Sequence, residues 1–193
     1  MMKISEIKKE LKKRIDKKRY DHTIGVAYTA ASLAMRYEED INNALVAGLL
    51  HDCAKKLSDE ELLSIAKKED IPVSYSESRC PYLLHGKVGS FIAKTQFDVS
   101  NEDILNAIAN HTTGRENMSL LEKIIFTADY IEPGRDKADN LDEIRKLAFI
   151  DLDKCIMRIL KDTIDYLNKT DSYIDDNTQK TYDYLKKEQS KNG

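Results

Sequence analysis

The sequence predicts an all-α protein built as a single helical domain. Three observations predict it. Only seven glycines and three prolines interrupt 193 residues. Apolar residues recur at helical spacing along nearly the whole chain. Strict apolar–polar alternation, the mark of a half-buried strand, is scarce.

Each element has its own justification. Ile4, Ile7, Leu11 and Ile15 space an amphipathic first helix over 3–19. Gly25, Val26, Thr29, Ala30 and Leu33 share a face of a second helix over 21–37. The run from Ala44 to Leu50 forms the inner face of a third helix over 41–56. Helices over 59–69 and 84–96 follow, separated by turn chemistry at Pro72 and Pro81. A helix over 101–111 closes before Gly114, and one over 118–131 closes before Pro133 and Gly134. Two more, over 140–168 and 178–189, flank the polar stretch "NKTDSYIDDN". No repeat, linker or low-complexity tract divides the chain, so one domain spans 1–193. Its core covers about 7–187, and residues 188–193 are expected to fray.

Composition excludes several roles. Charged residues make up 34% and hydrophobic ones 41%, as in a soluble globular protein. The net charge of −3 gives no overall basic field for nucleic acid or anionic membrane. The stretch "KKELKKRIDKKR" carries acids and apolar spacing, so it reads as a solvated helix face. The longest apolar run is too short to span a bilayer, and the N-terminus is too charged for a signal peptide. Cys53, Cys80 and Cys155 lie far apart without CxxC spacing, which suits free thiols in a reducing cytoplasm and argues against a cysteine-built zinc site. The oligomeric state, monomer or homodimer, is left open.

The four histidines carry the functional signal. His22 heads the apolar stripe of the second helix. His85 heads a stripe of Val88, Gly89, Ile92 and Ala93. His111 ends a stripe of Ile104 and Ile108, and His51 sits above Ala44, Ala47 and Gly48. The adjacent Asp52 shares that buried setting. In "SLLEKIIFTADYIEP", Asp129 lies on one face with Leu121, Ile124, Ile125 and Ala128. Buried charges are normally paired or bound to metal, and no basic residue sits on that face. One inward histidine is commonly a hydrogen-bonded core residue. Four of them, with two inward carboxylates, point to a metal centre. Imidazole and carboxylate without thiolate suit iron, manganese, cobalt, nickel or zinc. Successive helical residues diverge by about 100°, so a His51–Asp52 doublet needs completing ligands from other helices.

A histidine, a His–Asp doublet and a distant aspartate, all on helices, resemble the HD-domain superfamily of metal-dependent phosphohydrolases. The blocks "RYDHTIGVA", "GLLHDCAKKL", "YLLHGKVGS", "AIANHTTGRENMSLLEKIIFTADYIEPGR" and "YIDDNTQKTYDYL" resemble the YqeK family within it, from about residue 7 to 187. The resemblance implies a bacterial cytosolic enzyme that hydrolyses dinucleoside tetraphosphates symmetrically, diadenosine tetraphosphate giving two ADP. It implies an HD-type helical bundle with a metal centre among the core helices, iron being the expected metal. By the same resemblance His22, His51, Asp52 and Asp129 match metal ligands. Asp52, Lys55, His85 and His111 match catalytic positions. Arg19, Thr112 and Arg135 match positions around the nucleotide and its phosphates. Cys53, Ala54, Tyr173, Ile174, Asp175, Asp176, Asn177 and Thr178 complete the nucleotide-contacting set, together with His22, Lys55, His85, His111 and Asp129. The chain departs from the pattern at Asp175–Asp176, where relatives tend to read His–Pro. That change leaves base preference open.

Lys55 lies one turn beyond His51 and can extend towards a phosphate. Arg135 follows the helix of Asp129, and its guanidinium fork suits phosphate oxygens. His85 and His111 have two readings: ligands of a second metal bridged by Asp52, or hydrogen-bonding contacts to phosphate. The second is favoured. "LLHGKVGS" lacks the spacing of a phosphate loop. Competing functions are another HD-type phosphohydrolase or phosphodiesterase, and a nucleotide-binding regulatory module without catalysis.

Overall fold

The computed structural model describes residues 2–136, 138 and 140–191. Among them every regular element is helical. The order is α1 (Ile4–Arg14), α2 (Lys17–Tyr37), α3 (Ile41–Leu50), α4 (Asp59–Lys68), α5 (Tyr75–Arg79), a 3-10 turn (Pro81–Leu84), α6 (His85–Gln96), α7 (Glu102–Asn110), α8 (Leu120–Ile131), α9 (Leu141–Ala148), α10 (Leu152–Lys169) and α11 (Asp176–Lys191).

The predicted helices are present, with differences that have local causes. The expected helix over 3–19 breaks at Ile15, because the Asp16 carboxylate caps α2 by accepting from the Arg19 amide. The expected helix over 140–168 breaks in the same way: Asp151 accepts from the Lys154 amide and starts α10. The third helix ends at Leu50 rather than at 56. Residues 51–57 continue as turns closed by bonds such as Lys55 N–H to Asp52 O at 3.0 Å. Helix α5 was not expected; Ser74 and Glu77 form a reciprocal capping box there. Helix α11 runs from Asp176 to Lys191, so residues 188–191 of the expected frayed tail are helical, while Asn192 and Gly193 lie outside the described residues.

The core forms where α2, α3, α7 and α8 pack on one another, with α6 against α7 and α10 against α8. Leu49, Leu50, Ile104, Ile108, Leu121 and Ile124 are fully buried there, each contributing about 1.5–3 kcal/mol of transfer free energy. Gly48 sets the spacing of α2 and α3. A Cβ on it would lie 2.7 Å from the Ala27 Cα, closer than any side chain permits. That close approach brings His22 of α2 and the residues after Leu50 into one cluster.

Candidate metal centre

His51 is the C-cap of α3, His111 the C-cap of α7, and His85 the first residue of α6. At such positions the carbonyl three residues back is near enough to accept from the ring. The three rings use it alike. Nδ1–H of His51 donates to Gly48 O at 2.7 Å, that of His85 to Tyr82 O at 2.6 Å, and that of His111 to Ile108 O at 2.8 Å. His22 lies inside α2, and its Nδ1–H donates instead to the Glu132 carboxylate at 3.0 Å. With Nδ1 so engaged, every Nε2 is turned inward, as a lone pair on a neutral ring or an N–H on a protonated one.

These Nε2 atoms converge on Asp52, which is 3% exposed. His51 lies 3.4 Å and His22 3.8 Å from Oδ2, while His85 lies 3.4 Å and His111 3.5 Å from Oδ1. Asp129 Oδ1 is 3.1 Å from His22 Nε2 and 3.8 Å from His51 Nε2. The rings of His22, His51, His111 and His85 form a chain, with successive centroids 5.4, 5.0 and 4.9 Å apart. His22 Nε2, His51 Nε2 and Asp52 Oδ1 are buried without a hydrogen-bond partner.

Ring nitrogens facing carboxylate oxygens at these distances need a proton or a metal cation between them. The arrangement therefore fits a metal ion. Two groupings have converging donor atoms: His22, His51 and Asp129, and His51, Asp52 and His111. Asp52 has one oxygen on each side. The expected quartet of His22, His51, Asp52 and Asp129 is brought together, and so are the expected partners His85, His111 and Thr112. Thr112 Oγ1 lies 3.2 Å from His85 Nε2 and 3.1 Å from His111 Nε2.

The charges around the cluster reinforce one another. Burial opposes ionisation of Asp52, yet His51, His111 and His85 hold its carboxyl well below the usual range. Asp129 is likewise held low, against the effect of burial, by His22, His51, His111 and Arg135. Burial lowers the basicity of His22, but Asp129, Glu132 and Asp52 outweigh it and the pKa rises. His85 goes the other way: burial, aided by His111 and Lys55, pushes it down to about 4 although Asp52 pulls upward.

Three cations border the cluster. Arg19 donates to Asp52 Oδ2 at 2.6 Å. Arg135 donates to Asp129 Oδ1 and to its backbone oxygen, both at 3.0 Å. Lys55 Nζ lies 3.1 Å from His85 Nε2, its pKa lowered by burial against the pull of Asp52 and Asp129. A cleft of about 1050 Å³ opens beside this rim, between Arg19, His22 and Gly25 on α2 and Glu132, Gly134 and Arg135.

The other expected residues have contacts of their own. Ala54 is fully buried in the core. The Cys53 thiol donates to Gly89 O at 3.5 Å, and burial pushes its pKa up to about 12. Tyr173 shares a hydrogen bond with Ser76 through its hydroxyl at 3.1 Å. Asp175 is 7% exposed and accepts from the Asn177 amide at 2.8 Å, so it caps the start of α11. The departure at Asp175–Asp176 thus has a local structural use. Ile174 is half-buried, Thr178 is buried and Asn177 is exposed.

Sequence reasoning missed Glu132, buried at 3% and paired with His22. It also missed Arg145, which donates to Ile131 O, Glu132 O and Arg135 O and so fixes the turn after α8. Glu132 follows the last turn of α8 and precedes Pro133, so helical periodicity assigns it no face. The pairing is a contact across 110 positions, invisible to local spacing.

Comparison with known proteins gives concordant results. The family model described as "HD domain" matches residues 19–134. The chain is 39% identical over 175 residues to a Bacillus subtilis protein named "Bis(5'-nucleosyl)-tetraphosphatase, symmetrical", covering 91% of this chain and 93% of that one. A Staphylococcus aureus protein of the same name is 37% identical, covering 88% of each chain. Among solved structures, a Clostridium acetobutylicum protein described as a "predicted HD superfamily hydrolase involved in NAD metabolism" superposes with a TM-score of 0.94. It is 43% identical over 97% of this chain and 99% of that one.

Proposed function

The chain belongs to the HD domain family, among the relatives of the symmetrical bis(5'-nucleosyl)-tetraphosphatases, and we propose that it is a metal-dependent hydrolase cleaving dinucleoside tetraphosphates at the central bridge. Diadenosine tetraphosphate and water then give two ADP. The observation that carries this reading is the set of buried, unpartnered atoms, His22 Nε2, His51 Nε2 and Asp52 Oδ1, facing one another beside three cations.

In this proposal His22, His51, Asp52 and Asp129 hold the metal. An imidazole–carboxylate set without thiolate accommodates iron, the metal proposed here, as well as manganese, cobalt, nickel or zinc. An ion at such a site supplies a lowered water pKa, from 15.7 towards roughly 7, and an electrophilic contact for a phosphoryl oxygen. The remaining work belongs to the chain. Arg19 and Arg135 stand at the two ligand carboxylates, where planar guanidinium groups receive phosphate oxygens. Lys55 brings a partly desolvated ammonium to the far end of the cluster, where the departing half gains charge. His85, kept neutral by its burial, offers Nε2 as an acceptor to Lys55 and Thr112 and so aligns the donors that face phosphate. His111 stands beside it for the same phosphate. Water adds to one inner phosphorus and gives up its protons to solvent, the bridging oxygen leaves with the other half, and the bridge electrons end on that oxygen.

A second reading concerns metal number. Asp52 Oδ1 faces His85 and His111 while Oδ2 faces His22 and His51. In this reading His85, His111 and Asp52 would hold a second ion. Metal analysis of protein purified without chelator tests both readings. One ion per chain, retained in His111→Ala, supports phosphate contact. Two ions, with one lost in His111→Ala, support the two-ion reading. A metal-free active protein would overturn the proposal.

A further inference from the structure

Of the four inward histidines, one is oriented by a charge. His51, His85 and His111 each donate Nδ1–H to a backbone carbonyl three residues back. His22 has no such option: it sits in the second turn of α2, where backbone carbonyls serve the helix itself. Its acceptor is the carboxylate of Glu132.

We propose that Glu132 is the positioning residue of the metal centre, fixing His22 in the tautomer that presents Nε2 to the ion. The proposal rests on the metal-centre reading given above and goes beyond it. The surroundings are shaped for this carboxylate. Oε1 accepts from His22 at 3.0 Å, and Oε2 accepts from the Gly134 amide at 2.6 Å. The two oxygens are therefore assigned to two donors. The space for Oε2 exists because residue 25 is glycine: a Cβ there would lie 2.4 Å from that oxygen. Arg145 of α9 donates to the backbone oxygens of Ile131, Glu132 and Arg135 and holds the turn in place. The turn places Glu132 under His22 and Arg135 against Asp129, so one segment serves two of the four proposed ligands.

A carboxylate acceptor does more than a carbonyl. It fixes ring orientation, and its charge raises the electron-donating power of the opposite nitrogen. Loss of such a partner typically weakens metal affinity by roughly 10- to 100-fold. Glutamine cannot replace it in full, because an amide offers one acceptor where His22 and Gly134 require two.

Two variants and two readouts test this without substrate. Glu132→Gln removes the charge. Gly25→Ala leaves the carboxylate intact but displaces it, and alanine is favourable inside a helix. The readouts are metal affinity by chelator competition and histidine tautomers in metal-free protein by long-range proton–nitrogen NMR. At a pH where the His22 ring is neutral, the wild type should show its single proton on Nδ1. Each variant should lower affinity by roughly 10- to 100-fold and alter the His22 ring signals while those of His51, His85 and His111 stay. Shortening the acid in Gly25→Ala/Glu132→Asp should recover part of the loss. A neutral wild-type His22 ring with its proton on Nε2, or affinity within a factor of about 2 of wild type in both variants, would overturn the proposal. If metal is bound and these effects appear but diadenosine tetraphosphate is not cleaved, the substrate reading fails and the positioning role stands.

Discussion

Glu122 and Asp52 are both buried carboxylates, 1% and 3% exposed, and they are satisfied in opposite ways. Glu122 accepts from Arg115 Nε at 2.7 Å and NH2 at 2.6 Å, from Asn110 at 2.9 Å and from the Ser119 amide at 2.8 Å. Nothing is left for a ligand. Asp52 accepts one bond, from Arg19. Its Oδ1 has no partner, although two imidazoles lie within 3.5 Å. A burial measure alone does not separate the two residues. Unused bonding capacity does: the first carboxylate knits α7 to α8, and the second waits for something that the chain does not supply.

The largest expected contrast comes from removing each centre. Asp52→Asn keeps the volume and removes the charge. It should abolish stoichiometric metal binding and turnover, while the metal-free protein stays folded and loses at most about 1.5–3 kcal/mol, the worth of the charge-assisted bond from Arg19. Metal analysis and denaturant unfolding check both halves. His51→Ala and Asp129→Ala should likewise lose metal and turnover together with helical content retained, as read by circular dichroism.

Arg115→Ala should do the reverse. It leaves the Glu122 charge buried without its cation, a loss of about 3–5 kcal/mol for a fully buried pair. The Arg115 side chain is 40% exposed, so water replaces part of it and the lower end is expected, about 3 kcal/mol. Metal content per folded chain should not change. A variant that lost metal while keeping its stability would erase the distinction drawn here.

Smaller effects are expected at the rim. Charge-assisted hydrogen bonds contribute about 1.5–3 kcal/mol, so Lys55→Ala and Arg135→Ala should each lose roughly 10- to 150-fold in kcat/KM. The fall should appear in kcat as well, since the phosphates gain charge as the bridge breaks. Wild-type kcat/KM in both variants would place these side chains outside the reaction.

The pH dependence is subtler and has two signs. In metal-free protein the His22 pKa is raised above its ordinary value of 6.5 by its carboxylate neighbours, which outweigh burial. Protonated His22 therefore stabilises the metal-free fold. That contribution is complete below about 6.5 and is lost as pH rises through the folded value. Metal needs the neutral ring, so metal affinity should begin to fall above pH 6.5 on acidification. Unfolding of the metal-free protein against pH should then run opposite to metal retention. Parallel trends would contradict the assignment of His22.

The fold and the polar cluster were legible for one physical reason. Histidines and Asp129 on apolar helical faces contradict their surroundings, and such contradictions survive in one dimension. Helix breaks at Asp16 and Asp151 were not legible, because the residues around them keep helical spacing and the cap acts through a single side-chain bond. Glu132 and Arg145 were hidden because their partners lie far away in sequence or are backbone oxygens. Glu122 reads as an ordinary capping-box residue, and only the packing of Arg115 and Asn110 around it reveals its burial. Local pattern exposes residues at odds with their element; it does not expose residues whose meaning comes from a distant partner.

Product identification with diadenosine tetraphosphate tests the central claim most directly. Metal-loaded protein should yield ADP as the sole nucleotide product, and the same protein stripped by chelator should yield none until metal is restored. Equal amounts of ATP and AMP, or ADP formation unaffected by stripping, would contradict the account.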